Sequence, residues 1–173
     1  MKILSLILIF LMIIGCSTTK ITQPRIIDTK IFPSSYDEVW QSLVSSLALM
    51  SLPIASIEKD SGLITTNFVI FASGILADNE IKRISVRPSI MLGTWSQGRY
   101  ILSVFVEKLD TNSTKVRITS HIEAYENNVS YSWYVCHSKG VIERQIFNSI
   151  ESKLGTRGST DQIKTPIKRA KRP

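Results

Sequence analysis

The side chains best suited to chemistry in this sequence are two cysteines and two histidines, Cys16, Cys136, His121 and His137. A cysteine beside a histidine, as at positions 136 and 137, is the kind of pair that a thiol nucleophile or a metal site uses. Adjacent side chains on a strand point to opposite faces, however, so this apolar stretch predicts a buried, inert Cys136. His121 has no second histidine or cysteine beside it on its strand, and we expect it to be solvated.

Sequence motifs of catalysis are missing from the chain. It contains no Cys-x-x-Cys, no Gly-x-Ser-x-Gly, no His-Glu-x-x-His and no glycine-rich phosphate loop. We therefore predict a noncatalytic protein, with no metal ion and no cofactor.

Cys16 ends a short targeting segment. Lys2 supplies a positive charge, residues 3–14 are apolar except for Ser5, and Gly15 places a small residue before the cysteine. The apolar run is roughly half of the ~20 residues that a membrane span needs, so residues 1–15 predict a secretory signal that is removed. The mature chain would then begin at Cys16.

The ending Ile13, Ile14, Gly15, Cys16 resembles the lipobox of bacterial lipoproteins. The resemblance implies cleavage before Cys16 and attachment of acyl chains to it. These chains would hold the protein on a membrane, since each buried methylene contributes ~0.8 kcal/mol. In that family an Asp after the cysteine commonly signals inner-membrane retention, so Ser17 implies an outer-membrane protein that faces the periplasm. The alternative is an ordinary secretory signal with an incidental cysteine.

Positive charge is concentrated in the C-terminal tail. The formal net charge is +7, of which residues 155–173 contribute +5 and Lys2 contributes +1, which leaves the rest near +1. The tail is polar and free of aromatic residues, and we predict that it is disordered. The sequence leaves two alternatives for the tail. It contacts anionic lipid or a cell-wall polymer, or it is a solvated terminus. Nucleic-acid binding is not expected, because the tail has no aromatic side chain to stack on bases.

The mature chain has the size of one domain. Removal of fifteen signal residues from 173 leaves 158, enough for one core. Residues 16–25 predict a polar tether, and residues 26–154 predict an α+β domain. If Cys16 carries lipid, Cys136 is the only thiol left and no intramolecular disulfide can form.

The domain is predicted to begin with a strand and a helix. Residues 26–32 favour a strand that ends at Pro33, and Ser35 with Glu38 has the spacing of a capping box. The helix should end before Pro53. Its buried stripe is expected to contain Trp40, Leu43, Val44, Leu47 and Met50, and its polar side Gln41, Ser42, Ser45 and Ser46.

Antiparallel strands and a second helix should follow. Residues 54–59 and 63–70 flank a turn at Gly62 and predict a hairpin. Residues 71–98 have no steady period. We expect them to form an extended hairpin arm that caps the core, with a strand near residues 82–87, and a binding loop is the alternative.

Residues 99–109 and 114–126 alternate apolar and polar residues, which predicts a second hairpin with one buried and one wet face. Residues 131–137 predict the last strand. Ser138 is placed to cap a helix that should end at Gly155.

This order of elements predicts an α+β fold in which two helices pack on one face of an antiparallel sheet. Residues 36–40 (Tyr-Asp-Glu-Val-Trp), 60–66 (Asp-Ser-Gly-Leu-Ile-Thr-Thr) and 136–143 (Cys-His-Ser-Lys-Gly-Val-Ile-Glu), with Trp133, resemble the helix-grip domains of BamC-like lipoproteins. Those proteins are accessory subunits of the machine that inserts β-barrels into outer membranes. We therefore expect a membrane-anchored interaction or scaffold protein of envelope assembly or maintenance. The alternative is a carrier for a lipid or another small apolar ligand.

Overall fold

The computed structural model describes residues 27–163, which form an eight-stranded antiparallel sheet and three α-helices. The predicted α+β class is confirmed. In chain order the elements are β1 (Thr29–Phe32), α1 (Tyr36–Leu49), β2 (Ile54–Glu58), β3 (Leu63–Thr66), β4 (Val69–Ser73), a 3-10 turn (Gly74–Leu76), α2 (Ala77–Ile84), β5 (Ser85–Val86), β6 (Trp95–Asp110), β7 (Ser113–Glu126), β8 (Ser132–Ser138) and α3 (Val141–Ile163).

The sheet is built around one long hairpin of β6 and β7. Its register runs from Trp95 opposite Glu126 to Asp110 opposite Ser113, which confirms the predicted second hairpin. β3 and β4 pair one after the other along the second edge of β6, and β2 extends the sheet beyond β3. β1 and β8 pair in the same way along the second edge of β7, and β5 pairs with β8.

One face of this hairpin, which we call the inner face, is buried under the helices. α1 and α3 contact each other and also contact β7. α2 lies on the same side, since a Cβ built on the inward-facing Gly98 would be 2.9 Å from a side-chain carbon of Ile81. The inward side chains of the hairpin are Tyr100, Leu102, Val104, Val106, Val116, Ile118, Ile122 and Ala124.

Helix α1 begins with the predicted capping box. The Ser35 hydroxyl accepts from the N–H of Glu38 at 3.4 Å, and the Glu38 carboxylate accepts from the N–H of Ser35 at 3.0 Å. Trp40, Leu43 and Leu47 are buried, as the stripe predicts.

The predicted polar side of α1 is wrong at two positions. Ser42 and Ser46 have no exposed surface. Ser149 of α3 donates a hydrogen bond from its hydroxyl to the Ser46 hydroxyl at 2.9 Å, so this side of α1 faces the other helix and not water. Small side chains there allow the two helices to approach closely.

The hairpin of β2 and β3 turns at Gly62, as predicted. Gly62 has a φ of +72°, and a Cβ at this position would lie 2.1 Å from the carbonyl oxygen of Val106 on β6. The position therefore requires glycine both for its left-handed backbone and for the absence of a side chain. The strand predicted over residues 63–70 is in fact two strands, β3 and β4, separated by Asn67 and Phe68.

The extended arm predicted for residues 71–98 is wrong. This segment contains the 3-10 turn, α2 and the short strand β5, and only Ser85 and Val86 of the predicted strand are extended. Ala77, Ile81 and Ile84 are buried along one side of α2, so the segment does cover the core, but through a helix.

The last helix is longer than predicted. Ser138 accepts from the N–H of Gly140 at 3.0 Å and donates to Glu143 at 2.9 Å, and the helix begins at Val141. The predicted end at Gly155 is wrong, because α3 continues to Ile163 and Gly155 lacks the positive φ of a glycine that ends a helix. Residues 155–163 of the tail that was predicted to be disordered belong to α3. The predictions for the signal at residues 1–15, Cys16, the tether at residues 16–25 and the rest of the tail lie outside the described residues.

Candidate interaction surface on the outer face of the sheet

Cys136 is buried, as the sequence predicts. Its side chain is on the inner face, and burial raises the pKa of the thiol. His137, the next residue on β8, is exposed on the outer face. The thiol therefore lacks the thiolate character that nucleophilic chemistry needs.

A shallow cleft of about 300 Å³ brings Cys136, His121, His137 and Glu143 together at the gap between β1 and β8. The buried Glu143 carboxylate accepts hydrogen bonds from the hydroxyls of Ser120 and Ser138. Within residues 27–163, no group of three or more His, Cys, Asp or Glu side chains is arranged to hold a metal ion. The hydrogen bonds of Glu143 join β7, β8 and α3.

The outer face of the sheet carries an ordered cluster around Arg99. The Arg99 guanidinium lies 4.0 Å from the ring centroid of Phe68 and 3.9 Å from that of Trp133. It also donates from Nε to one oxygen of Glu123 at 2.7 Å, and its Nη2 forms an ion pair with the same oxygen at 2.7 Å. Tyr125 completes the cluster, with its ring centroid 5.3 Å from that of Trp133. We call Phe68, Arg99, Glu123, Tyr125 and Trp133 the outer-face cluster.

Strand register explains how these distant residues meet. Arg99 on β6 is directly opposite Glu123 on β7, and Tyr125 on β7 is directly opposite Trp133 on β8. Phe68 comes from the break between β3 and β4, beside the edge of β6. Opposed side chains on neighbouring strands are close enough to interact, so the sheet itself holds the cluster in place.

The charge on Glu123 is stabilised within the cluster. Burial raises the pKa of Glu123, but hydrogen bonds from Arg99 and His121 outweigh this effect and bring the pKa below its usual range. His121 lies 3.1 Å from the second carboxylate oxygen and is itself exposed, in agreement with the predicted solvated histidine. The carboxylate therefore remains ionised and paired with Arg99 at neutral pH.

Exposed apolar side chains surround the cluster on the same face. Ile70 is 64% exposed and pairs with Arg99 across β4 and β6, and Val135 is 60% exposed opposite Glu123. The sequence predicts that this face is wet, and the exposure of Ile70 and Val135 agrees with that. A stable Arg–aromatic group with apolar neighbours on an exposed sheet face is also typical of a binding surface.

The centre of the inner face is filled by side chains of the helices and the sheet. Leu43, Leu47, Leu102, Ile118, Ile146 and Ile150 each have no accessible surface. A side chain without accessible surface cannot line a cavity that is large enough for a water molecule, so the helices and the sheet are in direct contact at these residues.

No protein-family model and no curated protein matches this chain. The resemblance to BamC-like lipoproteins therefore stays a prediction. Among residues 27–163, no helix is both long enough and apolar enough to cross a bilayer.

Proposed function

We propose that this chain is a noncatalytic interaction protein of the bacterial cell envelope. Acyl chains on Cys16 anchor it in the outer membrane, facing the periplasm, and its outer sheet face docks an envelope protein. The observation that carries this proposal is the outer-face cluster, in which Arg99 is held between Phe68 and Trp133 on a face that none of the three described helices covers.

The composition of the cluster favours a protein partner. Trp, Tyr and Arg dominate the binding energy of protein interfaces, and here one of each lies within a single group. The ring contacts and the ion pair fix the Arg99 side chain before binding, which reduces the entropy lost on association. Ile70 and Val135 supply apolar surface that a partner would remove from water.

The filled inner face supports an interaction protein over a carrier. A carrier needs space between helix and sheet for its ligand, whereas Ile146 and Ile150 of α3 and Ile118 of β7 have no accessible surface. A bound apolar molecule would have to displace the core at this point.

The anchoring part of the proposal is tested by intact mass and metabolic labelling in the native host. We expect loss of residues 1–15, a mass gain that corresponds to acyl chains, and incorporation of a clickable palmitate analogue. Cys16→Ser should abolish the label, whereas Cys136→Ser, the matched control at the other cysteine, should retain it. An unmodified N-terminus in the mature protein would overturn lipid anchoring.

The docking part is tested by photocrosslinking in intact cells. A photoreactive amino acid at Val135 or Ile70 should give one discrete adduct with an envelope protein, and Arg99→Ala in the same chain should strongly reduce it. The same probe at Leu49, an exposed apolar residue on α1, is the control and should give no such adduct. Equal adducts at the three positions, or none at Val135 and Ile70, would contradict docking through the outer face.

A further inference from the structure

A second exposed apolar surface lies at the end of the sheet where β6 begins and β7 ends. Three loops meet there, formed by residues 74–76, 87–94 and 127–131. Ile75 is fully exposed, and Met91 and Leu92 are 85% and 79% exposed. We call this surface the apolar end, and it consists of Ile75, Leu76, Met91, Leu92, Val129 and Tyr131.

The three loops are joined into one unit. The Asn128 side chain donates to the carbonyl of Leu92 at 2.7 Å, and the Thr94 hydroxyl donates to the side-chain oxygen of Asn127 at 2.7 Å. Ile75 and Asn127 line the same cleft. The apolar side chains therefore project from one connected end of the molecule.

The exposed side chains of the apolar end are uncharged. The nearest charged pair, Arg87 with Asp78, lies in the cleft beside them, and the two groups are 2.7 Å apart. At the opposite end of the β6–β7 hairpin, ion pairs join Lys59 to Asp37 and Lys115 to Glu107. Charged side chains are strongly disfavoured in a bilayer, so loop tips with exposed, uncharged Ile, Leu and Met are suited to lipid.

Several backbone N–H groups of these loops are hydrogen-bonded within the protein. Glu126 is fully buried, and its carboxylate accepts hydrogen bonds from the N–H groups of Thr94, Asn128, Val129 and Ser130. Water cannot satisfy backbone groups inside a bilayer, so loops that approach one need partners within the protein. The buried Glu126 carboxylate is the hydrogen-bond acceptor for four of these N–H groups.

We propose that the apolar end contacts the lipid surface of the membrane to which the chain is anchored. This inference rests on the proposed anchoring at Cys16. It assigns a different partner to each surface, with lipid at the apolar end and protein at the outer-face cluster. A protein is the weaker choice at the apolar end, because its exposed side chains include no arginine, tryptophan or charged group, and Arg87 is already paired with Asp78 and packed on the ring of Trp95.

The chain before β1 is long enough to permit this contact. The Asp28 carbonyl accepts from the N–H of Ile118, eight residues before Glu126 on β7, and this separation spans ~27 Å of strand. Eleven residues lie between Cys16 and Asp28, and an extended chain of that length reaches ~40 Å. An acylated Cys16 can thus be in the same membrane as the apolar end.

The test places an environment-sensitive fluorophore at either end of the sheet. Protein with Met91→Cys, or with Thr111→Cys at the far turn as the matched control, is purified from host membranes, labelled, and reconstituted into phosphatidylethanolamine–phosphatidylglycerol vesicles. The unsubstituted chain measures background labelling, which we expect to be low because the Cys136 thiol is buried and its pKa is raised. We expect a quencher attached to lipid acyl chains to reduce emission at position 91 several-fold more than at position 111.

Two further substitutions and a separate measurement of acylation make the result decisive. Adding Ile75→Asp and Leu92→Asp to the Met91→Cys chain should lower its quenching to the level of position 111 while circular dichroism stays unchanged. Equal quenching of the two labels in folded protein would overturn the inference. So would preferential quenching at position 91 that occurs only in native membranes, which contain other proteins, and not in the vesicles. The chain can be held in the vesicles by acyl chains or by an uncleaved signal at residues 1–15. Intact mass measures acylation separately, so failure of the lipid contact can be distinguished from failure of the anchoring.

Discussion

The two faces of the β6–β7 hairpin use the same backbone for different purposes. Inward residues such as Leu102, Val104 and Ile118 are aliphatic and have no accessible surface, and they hold the helices to the sheet. The outward residues Arg99 and Glu123 are charged, paired with each other and partly exposed, and Arg99 also lies on the ring of Trp133. The inner face therefore stabilises the fold, and the outer face carries the surface that we propose to bind another protein.

The division between the faces has one informative exception. Glu126 points inward at the end of β7, among buried residues, yet it is a carboxylate. Its hydrogen bonds organise the loops at the apolar end. A buried charge at this position thus connects the core to a proposed binding surface, and it does so only while it remains ionised.

The strongest test of the comparison replaces one residue on each face of β7. Ile118→Ala should lower the free energy of unfolding by ~2–5 kcal/mol, because it removes buried methyl groups and leaves a cavity. Thr119→Ala, its exposed neighbour, should change it by less than about 0.5 kcal/mol. Urea denaturation of both variants measures this difference, and equal losses would show that the outer face contributes to the core.

The exception at Glu126 predicts a pH dependence of stability. Burial raises the pKa of Glu126, but the hydrogen bonds from Ser130, Thr94 and Asn128 outweigh it and lower the pKa from 4.5 to about 2. A lowered pKa in the folded state stabilises the protein above pH 4.5, and this contribution is lost as the pH falls from 4.5 towards 2.

Glu126→Gln should therefore lower the urea midpoint at neutral pH and flatten its decline between pH 4.5 and 2. The control is Glu107→Gln, an exposed carboxylate at the opposite end of the hairpin. Parallel pH profiles for wild type and Glu126→Gln would rule out Glu126 as the group that causes the acid sensitivity.

On the outer face, Arg99→Lys should separate binding from stability. Lysine keeps the charge that faces Glu123 but lacks the planar group that lies between Phe68 and Trp133. We expect a change in unfolding free energy of at most about 1 kcal/mol, because the group is partly exposed, and a clear loss of the crosslink at Val135. Arg117→Lys on the same face is the control, and an unchanged crosslink in Arg99→Lys would remove the cluster from the docking surface.

The smallest expected effect concerns the buried serines between α1 and α3. Within the described chain, the Ser42 hydroxyl has no hydrogen-bond partner, whereas the Ser46 hydroxyl donates to the Ser42 carbonyl at 2.7 Å. Ser42→Ala should therefore stabilise the protein by about 0.5 kcal/mol and Ser46→Ala should destabilise it by about 1 kcal/mol. Shifts of the same sign in thermal unfolding would mean that the surroundings of the two hydroxyls do not differ as described.

The inner face was predictable because it repeats a simple pattern. Alternation along β6 and β7 identified every inward residue from Tyr100 to Val106 and the corresponding positions of β7 other than Ser120. The capping box likewise located the start of α1 from two residues, Ser35 and Glu38. In each case the information lies within one short stretch of chain.

The missed features depend on contacts between distant segments. The outer-face cluster requires the register that puts Arg99 beside Glu123 and Tyr125 beside Trp133, and no single strand contains that information. Ala77, Ile81 and Ile84 do have helical spacing, but a helix of eight residues depends on tertiary packing, and Gly74 and Pro88 nearby obscured it. Ser42 and Ser46 appear polar until the position of α3 is known.

The turn at Gly62 gives a means of recognising distant relatives of this chain. Any larger residue would collide with the Val106 carbonyl and also require a left-handed backbone, so substitution should be excluded even after most other positions have diverged. Distant relatives should therefore keep a glycine in the turn after β2. They should also keep a long alternating strand equivalent to β6, whose backbone carbonyl lies against that glycine.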